Sequence, residues 1–593
     1  MAALPPHLPA EAPIGMPRQR FSRAVPPSVA PGAAPGDMLP RRLLLMLATL
    51  MMGLAALAGV KPALAQDGIG PVDLILMGLF FPLFAWIAFG FVGSTIGFAL
   101  LMTGRSPGYI TAPERTTPAI GRTAVLMPVH NEDVAAVFAR VQAMLRSIAD
   151  AGGGATTDFF VLSDSGLAGG AEEERCWQHI APCAPIPLYY RRRTQNIAAK
   201  PGNIAEWVGR FGGAYAYMVV LDADSLMSGR TIATLASAIE ARPSVALIQT
   251  VPGVVAAATL FQRWMQFASR LYGPVSTAGM LWWFGAEGTF WGHNAIVRTA
   301  AFAESCGLPE LLGPAPFGGH VLSHDMVEAA LLRRRGWAVH MVMIGGSYEE
   351  YPPTMIDHAI RDRRWAQGNI QHIRLLGSAG FHWVSRLQLL VGASAYITSP
   401  LWLLLILTTL AAQFGAQGDA AVVGSTGGVL ALTLLLLFGP KVMALAWACS
   451  DPVRRRGFGG GRSLARSTAA EMVLSILFAP AAMLTQTMDV IGILRGRRSR
   501  WVAQSRESDG IALEDALRRY RWHVAAGVLG LLLVPAAPIA AAWLAPVTLG
   551  LLASPWLAMW TARRDLGTRA RAAGLFCVPP APTEPYLRDA VAD

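Results

Sequence analysis

Long apolar stretches near both ends of the chain flank a central block of ordinary polarity, and this pattern constrains the fold most strongly. Apolar runs cover 43–60 and 72–102 before the block, and 387–413 and 421–448 after it. Each is long enough to cross a bilayer, because a helix rises about 1.5 Å per residue. Charged residues form 15% of the 593 positions, against about 25% in soluble proteins. The chain is therefore predicted to be a membrane protein that carries an inserted soluble domain.

Arginines beside the apolar runs predict which parts of the chain are cytoplasmic. The formal net charge is +11, and arginines gather at 454–456, 495–500 and 518–521. Lys and Arg near membrane spans are enriched on the cytoplasmic side. The central block, 104–386, and both termini are therefore predicted to be cytoplasmic. The basic residues form no single long run, which disfavours nucleic-acid binding.

The same pattern divides the chain into five segments. They are predicted as a disordered cytoplasmic tail over 1–40, two transmembrane helices over 41–103, a cytosolic domain over 104–386, transmembrane and interfacial helices over 387–562 with a cytosolic loop at 495–522, and a cytoplasmic tail over 563–593. An alternative for the first apolar run is a signal peptide, because Ala63-Leu64-Ala65 has the form of a cleavage site. The long lead before Met38 favours an uncleaved helix.

Two later segments are harder to assign. The segment 469–494 lies between Arg-rich flanks that are both expected in the cytoplasm. It is therefore predicted to lie in the membrane interface or to re-enter, with a break at Pro480. The block 524–561 is predicted to form a hairpin split near Pro546. Together with the four earlier runs, the hairpin gives about six crossings.

Apolar runs at 123–129, 159–162, 217–221 and 245–248 predict buried strands that alternate with helical segments in the central block. Continuous apolar strands separated by helices indicate a parallel sheet covered on both faces. Polar side chains follow these runs, namely Asn131, Glu132, Asp164, Asp222 and Asp224. Ligands of such sheets bind at the carboxyl ends of the strands. The sequence therefore predicts one ligand site at this edge.

Three acids at strand ends suit a metal and a nucleotide. Asp222 and Asp224 are separated by one residue, and such a pair can hold a divalent cation that shares its coordination with a diphosphate. Asp164 ends another strand and could accept hydrogen bonds from a uracil ring or a ribose. A turn or a helix cap is the alternative for an isolated acid. Their shared position at strand ends favours the ligand site.

Further segments carry side chains suited to the same chemistry. Lys200 lies in a Lys-Pro-Gly-Asn turn and offers a positive charge for a phosphate. Asp325, before a helical segment, is suited to remove a proton from a hydroxyl or to cap that helix. Arg364 suits a diphosphate, and Trp365 offers a flat face to a pyranose ring, with an interfacial anchor as the alternative. The run 191–193 is interpreted as solvated surface or a lipid headgroup contact.

In this order the motifs resemble the processive family-2 glycosyltransferases, to which cellulose and hyaluronan synthases belong. That family carries D, D-x-D, T/E-D and Q-x-x-R-W. The matching residues here are Asp164, Asp222, Asp224, Asp325, Arg364 and Trp365. Arg361 stands where the family usually has Gln, and His324 where it has Thr or Glu.

With these two differences, the sequence resembles one branch of that family, the bacterial membrane synthases of osmoregulated periplasmic glucans. Six segments carry this likeness in order: TAVLMPVHNED at 123–133, YMVVLDADS at 217–225, WGHNAIVR at 291–298, SHDMVEAA at 323–330, GSYEE at 346–350 and RDRRWAQGN at 361–369. The resemblance covers about 120–520. It implies a GT-A-type α/β cytosolic domain inserted in a polytopic helical membrane domain of the bacterial inner membrane.

The resemblance also implies a reaction and its residues. The expected activity is an inverting transfer of glucose from UDP-glucose, with Mg²⁺ or Mn²⁺, onto a nascent β-glucan. The roles carried over are Asp325 as catalytic base, Glu132, Asp164, Lys200, Asp222 and Arg364 for the nucleotide sugar, Asp222 and Asp224 for the metal, and Trp365, Gly292, His293 and Asn294 for the acceptor. The loop 495–506 is expected to close over the nucleotide. Expected partners are membrane lipid, acyl carrier protein and a periplasmic glucan-modifying protein.

Other interpretations share some of these features. A cellulose-like, curdlan-like or hyaluronan-like synthase would use the same chemistry, although His324 and Arg361 argue against cellulose synthase. A lipid-linked sugar transferase could carry the D-x-D pair, but the Arg-Trp pair favours a polymer acceptor. A transporter or scaffold would place its acids inside the spans, whereas here they cluster in the central block. The five cysteines lack zinc spacing.

Overall fold

Short buried strands alternate with helices through the central block in the computed structural model of the chain. The structure describes residues 7–30, 34–64, 68–110, 119–415, 421–497, 509–535, 537–582 and 584–590. The strands found there, β1 to β10, are Thr123–Val129, Thr157–Ser163, Leu188–Arg192, Tyr217–Val220, Leu226–Met227, Val245–Thr250, Gly253–Val255, Ala295–Arg298, Ala338–Val342 and Ser347–Glu350.

Helices fall into two groups along the chain. The first ten, α1 to α10, are Met38–Leu64, Pro71–Met102, Val134–Asp150, Leu167–Ile180, Ala199–Phe211, Gly229–Glu240, Leu260–Phe284, Thr299–Ser305, His324–Arg334 and Met355–Gln371. The remaining described helices, α11 to α18, are Trp383–Gly415, Ala421–Ser450, Pro452–Gly457, Gly461–Leu494, Leu513–Leu532, Pro538–Thr561, Arg564–Ala572 and Pro585–Asp589. The α/β domain extends from β1 to α10.

The main sheet has seven strands in the order β3-β2-β1-β4-β8-β6-β9. Six strands run parallel, as predicted, and β8 runs antiparallel to both β4 and β6. The prediction of a purely parallel sheet is therefore wrong at β8. Because Ala295 pairs with Val220, the residues just before β8 lie at the carboxyl end of β4. This reversal brings the segment 292–294 to the predicted ligand edge.

Both faces of the sheet are covered, which explains the continuous apolar strands. In β1, Val125 and Met127 pack in a core with α3 and α6, while Ala124 and Leu126 face a second core beside α5. All four side chains are fully buried. Alternate residues of a strand point to opposite faces, so a strand between two helical layers must be apolar at every position. The smaller sheet, in the order β5-β10-β7, lies next to the carboxyl edge.

Helices outside the α/β domain supply the apolar runs. Within the described residues, six helices are long and apolar enough to cross a membrane: Met38–Lys61, Pro71–Met102, Trp383–Ala412, Gly427–Ser450, Gly461–Leu494 and Ala540–Thr561. The break predicted at Pro480 is absent, because α14 continues through this proline. The hairpin turns between α15 and α16, and Pro546 lies inside α16, so the predicted split is also wrong. Packing against neighbouring helices compensates for the backbone bond that a proline removes.

α14 packs along the α/β domain over its length. Tyr272 of α7 donates to Glu471 at 2.6 Å, and Gln486 donates to Asp362 of α10 at 2.8 Å. Between these points Phe478 contacts aromatic rings of α7. Both halves of α14 therefore contact the same domain. By length and composition, however, α14 is one of the six candidate spans and α15 is not, which differs from the predicted set of crossings.

The N-terminal segment, 7–30, runs across the surface of the α/β domain. Its backbone hydrogen bonds are Ala12 N to Arg210 O at 2.8 Å, Gln19 N to Gly307 O at 2.7 Å and Ser28 N to Arg335 O at 2.8 Å. Ile14 and Met16 add apolar contacts to the core beside α5. The prediction of disorder over 1–40 is therefore wrong for these residues. Backbone hydrogen bonds and apolar contacts with the domain surface hold the segment in place.

A buried ionic cluster joins α1 to the α/β domain. Arg42 donates to the carbonyls of Trp283 at 3.0 Å and Phe284 at 2.7 Å, and it forms an ion pair with Glu287. The other carboxylate oxygen of Glu287 accepts from Arg333 Nε at 2.7 Å. Arg333 lies at the end of α9. The first apolar helix is thus tied to a helix of the α/β domain.

Candidate active site

The Asp222 and Asp224 pair lies in a tight turn after β4. Asp222 N donates to Ser225 Oγ at 2.9 Å, and Ser225 N donates back to Asp222 O at 3.0 Å. Behind the turn Arg140 donates to the Ala223 carbonyl at 3.3 Å. These bonds fix the backbone, so the two carboxylates stand at the carboxyl edge of the sheet.

Arg140 is itself held by an ion pair with Glu350 of β10. Both side chains are nearly buried. The smaller sheet thereby braces the turn that carries Asp222 and Asp224. Neither partner of this pair was predicted, because the two residues lie 210 positions apart.

Lys200 reaches the same edge from the start of α5. Its ammonium contacts Asp222 Oδ1 and donates to the Gly292 carbonyl at 2.6 Å. Lys200 therefore lies at the predicted site, with its charge directed at a carboxylate. The negative charge of Asp222 stabilises a cation at this position.

Asp164, at the end of β2, is held by a bidentate arginine. Arg193 Nε lies 2.6 Å from Asp164 Oδ1, and Nη2 lies 2.7 Å from Oδ2. Arg191 is buried and forms an ion pair with Glu206 at 3.1 Å. The interpretation of 191–193 as solvated surface or a lipid contact is therefore wrong for two of its three residues. Buried arginines require acid or carbonyl partners, and these came from elements that the local sequence does not reveal.

The loop after β1 joins the ends of two strands. Asn131 N donates to Ser165 Oγ at 2.7 Å, and Gly166 N donates to Asn131 Oδ1 at 3.0 Å. Asn131 adopts a left-handed φ of 53°, a conformation that asparagine tolerates better than most residues. Glu132 is half-buried, and its charge offsets part of the lowering that burial causes in the pKa of Arg364. The loop thus faces α10 across the edge.

Asp325 lies in the first turn of α9, against the backbone of Gly292. A side chain at Gly292 would put its Cβ 3.3 Å from Asp325 Oδ2, and the φ there is +84°. Only glycine accommodates both conditions without strain. Burial raises the pKa of Asp325 and Glu328 adds to this effect, while His324 opposes it. The carboxyl group is therefore more basic than an ordinary aspartate.

Helix α10 and the turn after it hold the segment before Asp325 in place. Gln371 Oε1 accepts from Leu322 N at 2.8 Å, and His372 Nε2 lies 3.0 Å from the Ser323 carbonyl. Burial lowers the pKa of His372 to about 4, so the neutral ring can donate to that carbonyl. A Cβ at Gly368 would lie 2.6 Å from Ser323 Cβ and 2.8 Å from its backbone N.

These bracing residues were missed from the sequence. The one signal in the sequence was a glycine, Gly368, within the segment 361–369. Its missing side chain allows two elements to cross closely.

Arg364 and Trp365 are neighbours on α10. Burial and the nearby Arg361 lower the pKa of Arg364, and the carboxylates of Asp222, Glu132 and Asp224 oppose this shift. Their influence indicates that the guanidinium lies near the strand-end acids. Trp365 keeps 47% of its surface exposed, so a flat apolar face is available one residue from Arg364.

The segment 292–294 divides into parts with different surroundings. His293 Nε2 lies 3.4 Å from Glu349 Oε2, a residue that was not predicted. Burial lowers the pKa of His293, but Asp222 and Glu349 raise it more, so the net shift is upward. Asn294 is fully buried, and its amide donates to Ser347 Oγ at 2.9 Å and to the Tyr348 carbonyl at 3.0 Å.

The predicted contact between the Asn294 side chain and an acceptor is therefore wrong. Both amide protons are used internally, and they attach β10 to the segment before β8.

The donor set fits a cation that shares its coordination with a ligand. Among the described residues, no group of three or more His, Cys, Asp or Glu side chains is arranged to hold a metal ion by itself. Asp222 and Asp224 supply two carboxylates, and Lys200 already places a positive charge against the first. Mg²⁺ and similar ions are commonly bound by one or two carboxylates together with substrate phosphates.

One predicted element cannot be assigned. Residues 498–506 of the loop expected to close over the nucleotide lie outside the described residues. They include Arg498 and Arg500.

Comparisons with known proteins identify the family of the chain. The sequence family described as Glycosyl transferase family group 2 matches residues 217–447. Proteins called glucans biosynthesis glucosyltransferase H resemble most of the chain. The Caulobacter vibrioides protein is 40% identical, covering 96% of this chain and 90% of the relative. The Rhodopseudomonas palustris protein is 43% identical, covering 94% and 79%. The Xanthomonas campestris protein is 41% identical, covering 97% and 92%.

A solved mannosyltransferase from Pyrobaculum calidifontis, in complex with GDP-mannose and Mn²⁺, is 15% identical with a TM-score of 0.39, covering 64% of this chain and 98% of that chain. The relatives decide the family, because their identity extends from end to end of the α/β domain and through the apolar helices. The chain therefore belongs to the glucans biosynthesis glucosyltransferase H family, and it is a family-2 glycosyltransferase of glucan synthesis with a GT-A-type domain.

Proposed function

We propose that the chain transfers glucose from UDP-glucose to the end of a nascent β-glucan, with inversion at the anomeric carbon. One observation carries this proposal. Lys200 contacts both Asp222 and the Gly292 carbonyl, and Gly292 packs against Asp325. A single chain of contacts thus connects the strand-end acids to the candidate base. A donor bound at the first would present its sugar to the second.

Asp325 is the proposed base. Its carboxylate would take the proton of an acceptor hydroxyl, and the oxygen would attack the anomeric carbon as the bond to the diphosphate breaks. The electron pair of the broken bond leaves with UDP. A raised pKa favours this role, because a more basic carboxylate accepts the proton more readily.

The leaving diphosphate requires positive charge. Arg364 and Lys200 are the proposed cationic side chains, since both approach Asp222. Asp222 and Asp224 would hold Mg²⁺ or Mn²⁺, and a bound ion would supply further charge stabilisation for the diphosphate. Asp164, fixed by Arg193, would accept from the uridine, and Glu132 would line the same side.

Trp365 is the proposed acceptor platform. Its exposed face lies one residue from Arg364, so a stacked glucose would be held next to the departing diphosphate. Holding the acceptor in a reactive orientation lowers the entropic part of the barrier. Gly292 and His293 would border the same glucose, with Gly292 contributing backbone only.

The membrane arrangement is also proposed. The α/β domain and both termini would lie on the cytoplasmic face of the inner membrane, as the arginine distribution favours. α14 would lie in the interface, because both halves contact the α/β domain. An acyl carrier protein, a periplasmic glucan-modifying protein and a loop closing over the nucleotide stay predictions from the resemblance.

The test is UDP release by the purified protein in lipid, supplied with UDP-glucose and Mg²⁺. Asp325→Asn should reduce turnover by about 10²- to 10⁴-fold while UDP binding is retained. Asp150→Asn, at an exposed helix end, is the matched control and should leave turnover unchanged. Equal turnover in Asp325→Asn and the parent protein would contradict the role of Asp325.

Product analysis separates this proposed function from the alternative functions. Other UDP-sugars should not replace UDP-glucose, and linkage analysis of the polymer distinguishes cellulose-like and curdlan-like synthases. A labelled sugar recovered on extractable lipid instead of glucan would indicate a lipid-linked transferase.

A further inference from the structure

Arg361 lies between two aromatic rings beside the acceptor platform. Its guanidinium carbon is 4.6 Å from the centre of the Tyr351 ring and 4.6 Å from the centre of the Trp365 ring. Arg361 and Trp365 lie one helical turn apart on α10, so they share a face. Tyr351 follows β10. The flat cation therefore contacts both a ring held by the α/β domain and the half-exposed Trp365.

Tyr351 forms the fixed wall of this arrangement. Its ring stacks on His358 with centroids 5.7 Å apart, and its hydroxyl lies 3.2 Å from His358 Nδ1. Its carbonyl accepts from Gln262 Nε2 at 2.8 Å. The tyrosine is thus held at both ends by groups of the α/β domain. Burial lowers the pKa of His358 to about 3, so this wall adds no second positive charge next to Arg361.

Trp365 is held less firmly than Tyr351 by the residues that the structure describes. Nearly half of its surface is exposed, and its backbone carbonyl, not its ring, accepts the hydrogen bond of Asn369. A large exposed side chain samples several rotamers, and ordering it on ligand binding costs affinity. The stacked guanidinium removes part of that cost before the ligand arrives. Glutamine, which is shorter and uncharged, would neither span the gap nor attract the ring faces.

We propose that Arg361 is a positioning residue that holds the Trp365 ring in the orientation that receives the acceptor glucan. This inference rests on the proposed function, because it takes Trp365 as the acceptor platform. It also gives a physical reason for arginine at a position where most processive relatives carry glutamine. Arg361 touches no reacting atom; it acts through the ring.

The test compares Michaelis constants for the two substrates. The acceptor probe is the glucan made by the parent enzyme itself, purified and separated by size, and the donor probe is UDP-glucose. Arg361→Gln should raise KM for the acceptor about fivefold to tenfold. It should change KM for UDP-glucose less than twofold. Arg361→Lys keeps the charge but loses the flat face, and should give an intermediate increase. Arg230→Gln, an exposed arginine of α6, controls for loss of charge.

A double-mutant cycle with Trp365→Leu checks whether Arg361 acts through the ring. In the Trp365→Leu background, Arg361→Gln should have no further effect on KM for the acceptor. Additive effects would overturn the inference, and so would a shift in KM for UDP-glucose alone. Tyr351→Leu removes the other wall without altering α10, so it keeps the test valid if Arg361→Gln fails to fold. Tyr351→Leu should also raise KM for the acceptor.

The cycle also separates this inference from the proposed function. If Trp365→Leu leaves KM for the acceptor unchanged, the acceptor platform itself is misplaced. If Trp365→Leu raises it but Arg361→Gln and Tyr351→Leu do not, only the positioning role is wrong.

Discussion

The ionisation of Asp325 sets the pH range in which it can act as a base. Burial raises its pKa above the usual 3.8 of an aspartate, and His324 opposes the shift only in part. A base works only when deprotonated, so activity is lost as the pH falls through this raised pKa. We expect the acid limb of kcat/KM to lie at higher pH than that of an ordinary aspartate. A pH profile of UDP release, measured alongside UDP binding over the same range, checks this expectation.

If UDP release falls in acid while UDP binding does not, the ionisation belongs to the chemical step. Coincident limbs in both would assign it to the donor site instead, and would contradict the prediction.

Gly368 is the second residue whose environment gives a sharp prediction. Its missing side chain lets α10 pass against the turn at Ser323, two residues before Asp325. Gly368→Ala would push that turn aside, and a displacement of about 1 Å at a reacting group can cost 10²-fold in rate. We therefore expect a loss of about 10²-fold in kcat with UDP binding retained. Gly209→Ala, in α5 where the space is open, should leave kcat unchanged.

The site residues that the sequence revealed are those whose chemistry is visible locally. Asp222 stands after a strand end and Asp325 at a helix start, and the structure brings these two segments together through Gly292 and Lys200. The supporting residues escaped because their partners are remote. Arg193 reaches Asp164 across 29 positions, and His293 meets Glu349 only because β8 and β10 approach the same edge. No local pattern records such pairings.

At the scale of elements, the direction of β8 was equally hidden. An apolar strand reads the same in either direction, and its orientation depends on the long connection through α7. In the apolar helix α14, the interfacial position favoured by the charge at its flanks stays a prediction. The break predicted at its single proline is wrong, because side-chain packing decides whether a proline interrupts a helix.

The placement of α14 is testable at its two ends. We expect Gly461→Cys and Arg495→Cys to be on the same, cytoplasmic side. A membrane-impermeant thiol reagent should therefore label neither in spheroplasts and both in inverted vesicles. A helix that crosses the bilayer once would separate the two positions.

The labelling experiment requires replacement of the native cysteines, which are Cys176, Cys183, Cys306, Cys449 and Cys577. Ile69→Cys, in the exposed connection between α1 and α2, is the control. It should be labelled in spheroplasts, since a single crossing by α1 from a cytoplasmic N-terminus would put that connection on the periplasmic side.

For the whole molecule, the cluster of Arg42, Glu287 and Arg333 joins the first apolar helix to the α/β domain. Glu287→Gln would leave two nearly buried guanidinium groups without their carboxylate. Breaking a buried ion pair from one side typically costs about 3–5 kcal/mol. We expect a similar loss in the free energy of unfolding, measured as faster thermal inactivation in lipid. Glu172→Gln, at an exposed glutamate of α4, should have little effect.

The effect of Glu287→Gln should also depend on pH. Burial tends to raise the pKa of Glu287, but Arg333 and Arg42 lower it more, so the net shift is downward. A lowered pKa contributes stability above the usual glutamate range, and this contribution is lost as the pH falls through the folded value. The difference between the parent protein and Glu287→Gln should therefore shrink in acid. A constant difference would contradict the ionic origin of the joint.

The N-terminal segment leaves the ribosome long before its binding surface exists. Gln19 bonds to Glu304, 285 positions later, and accepts from Arg334, 315 positions later. At about 5–20 residues per second, the delay is about 15–60 s. During that interval α1 and α2 are complete while 7–30 is still unattached. The order of synthesis therefore means that the segment can close over the α/β domain only after residue 334 has emerged, when both N-terminal apolar helices have long been made.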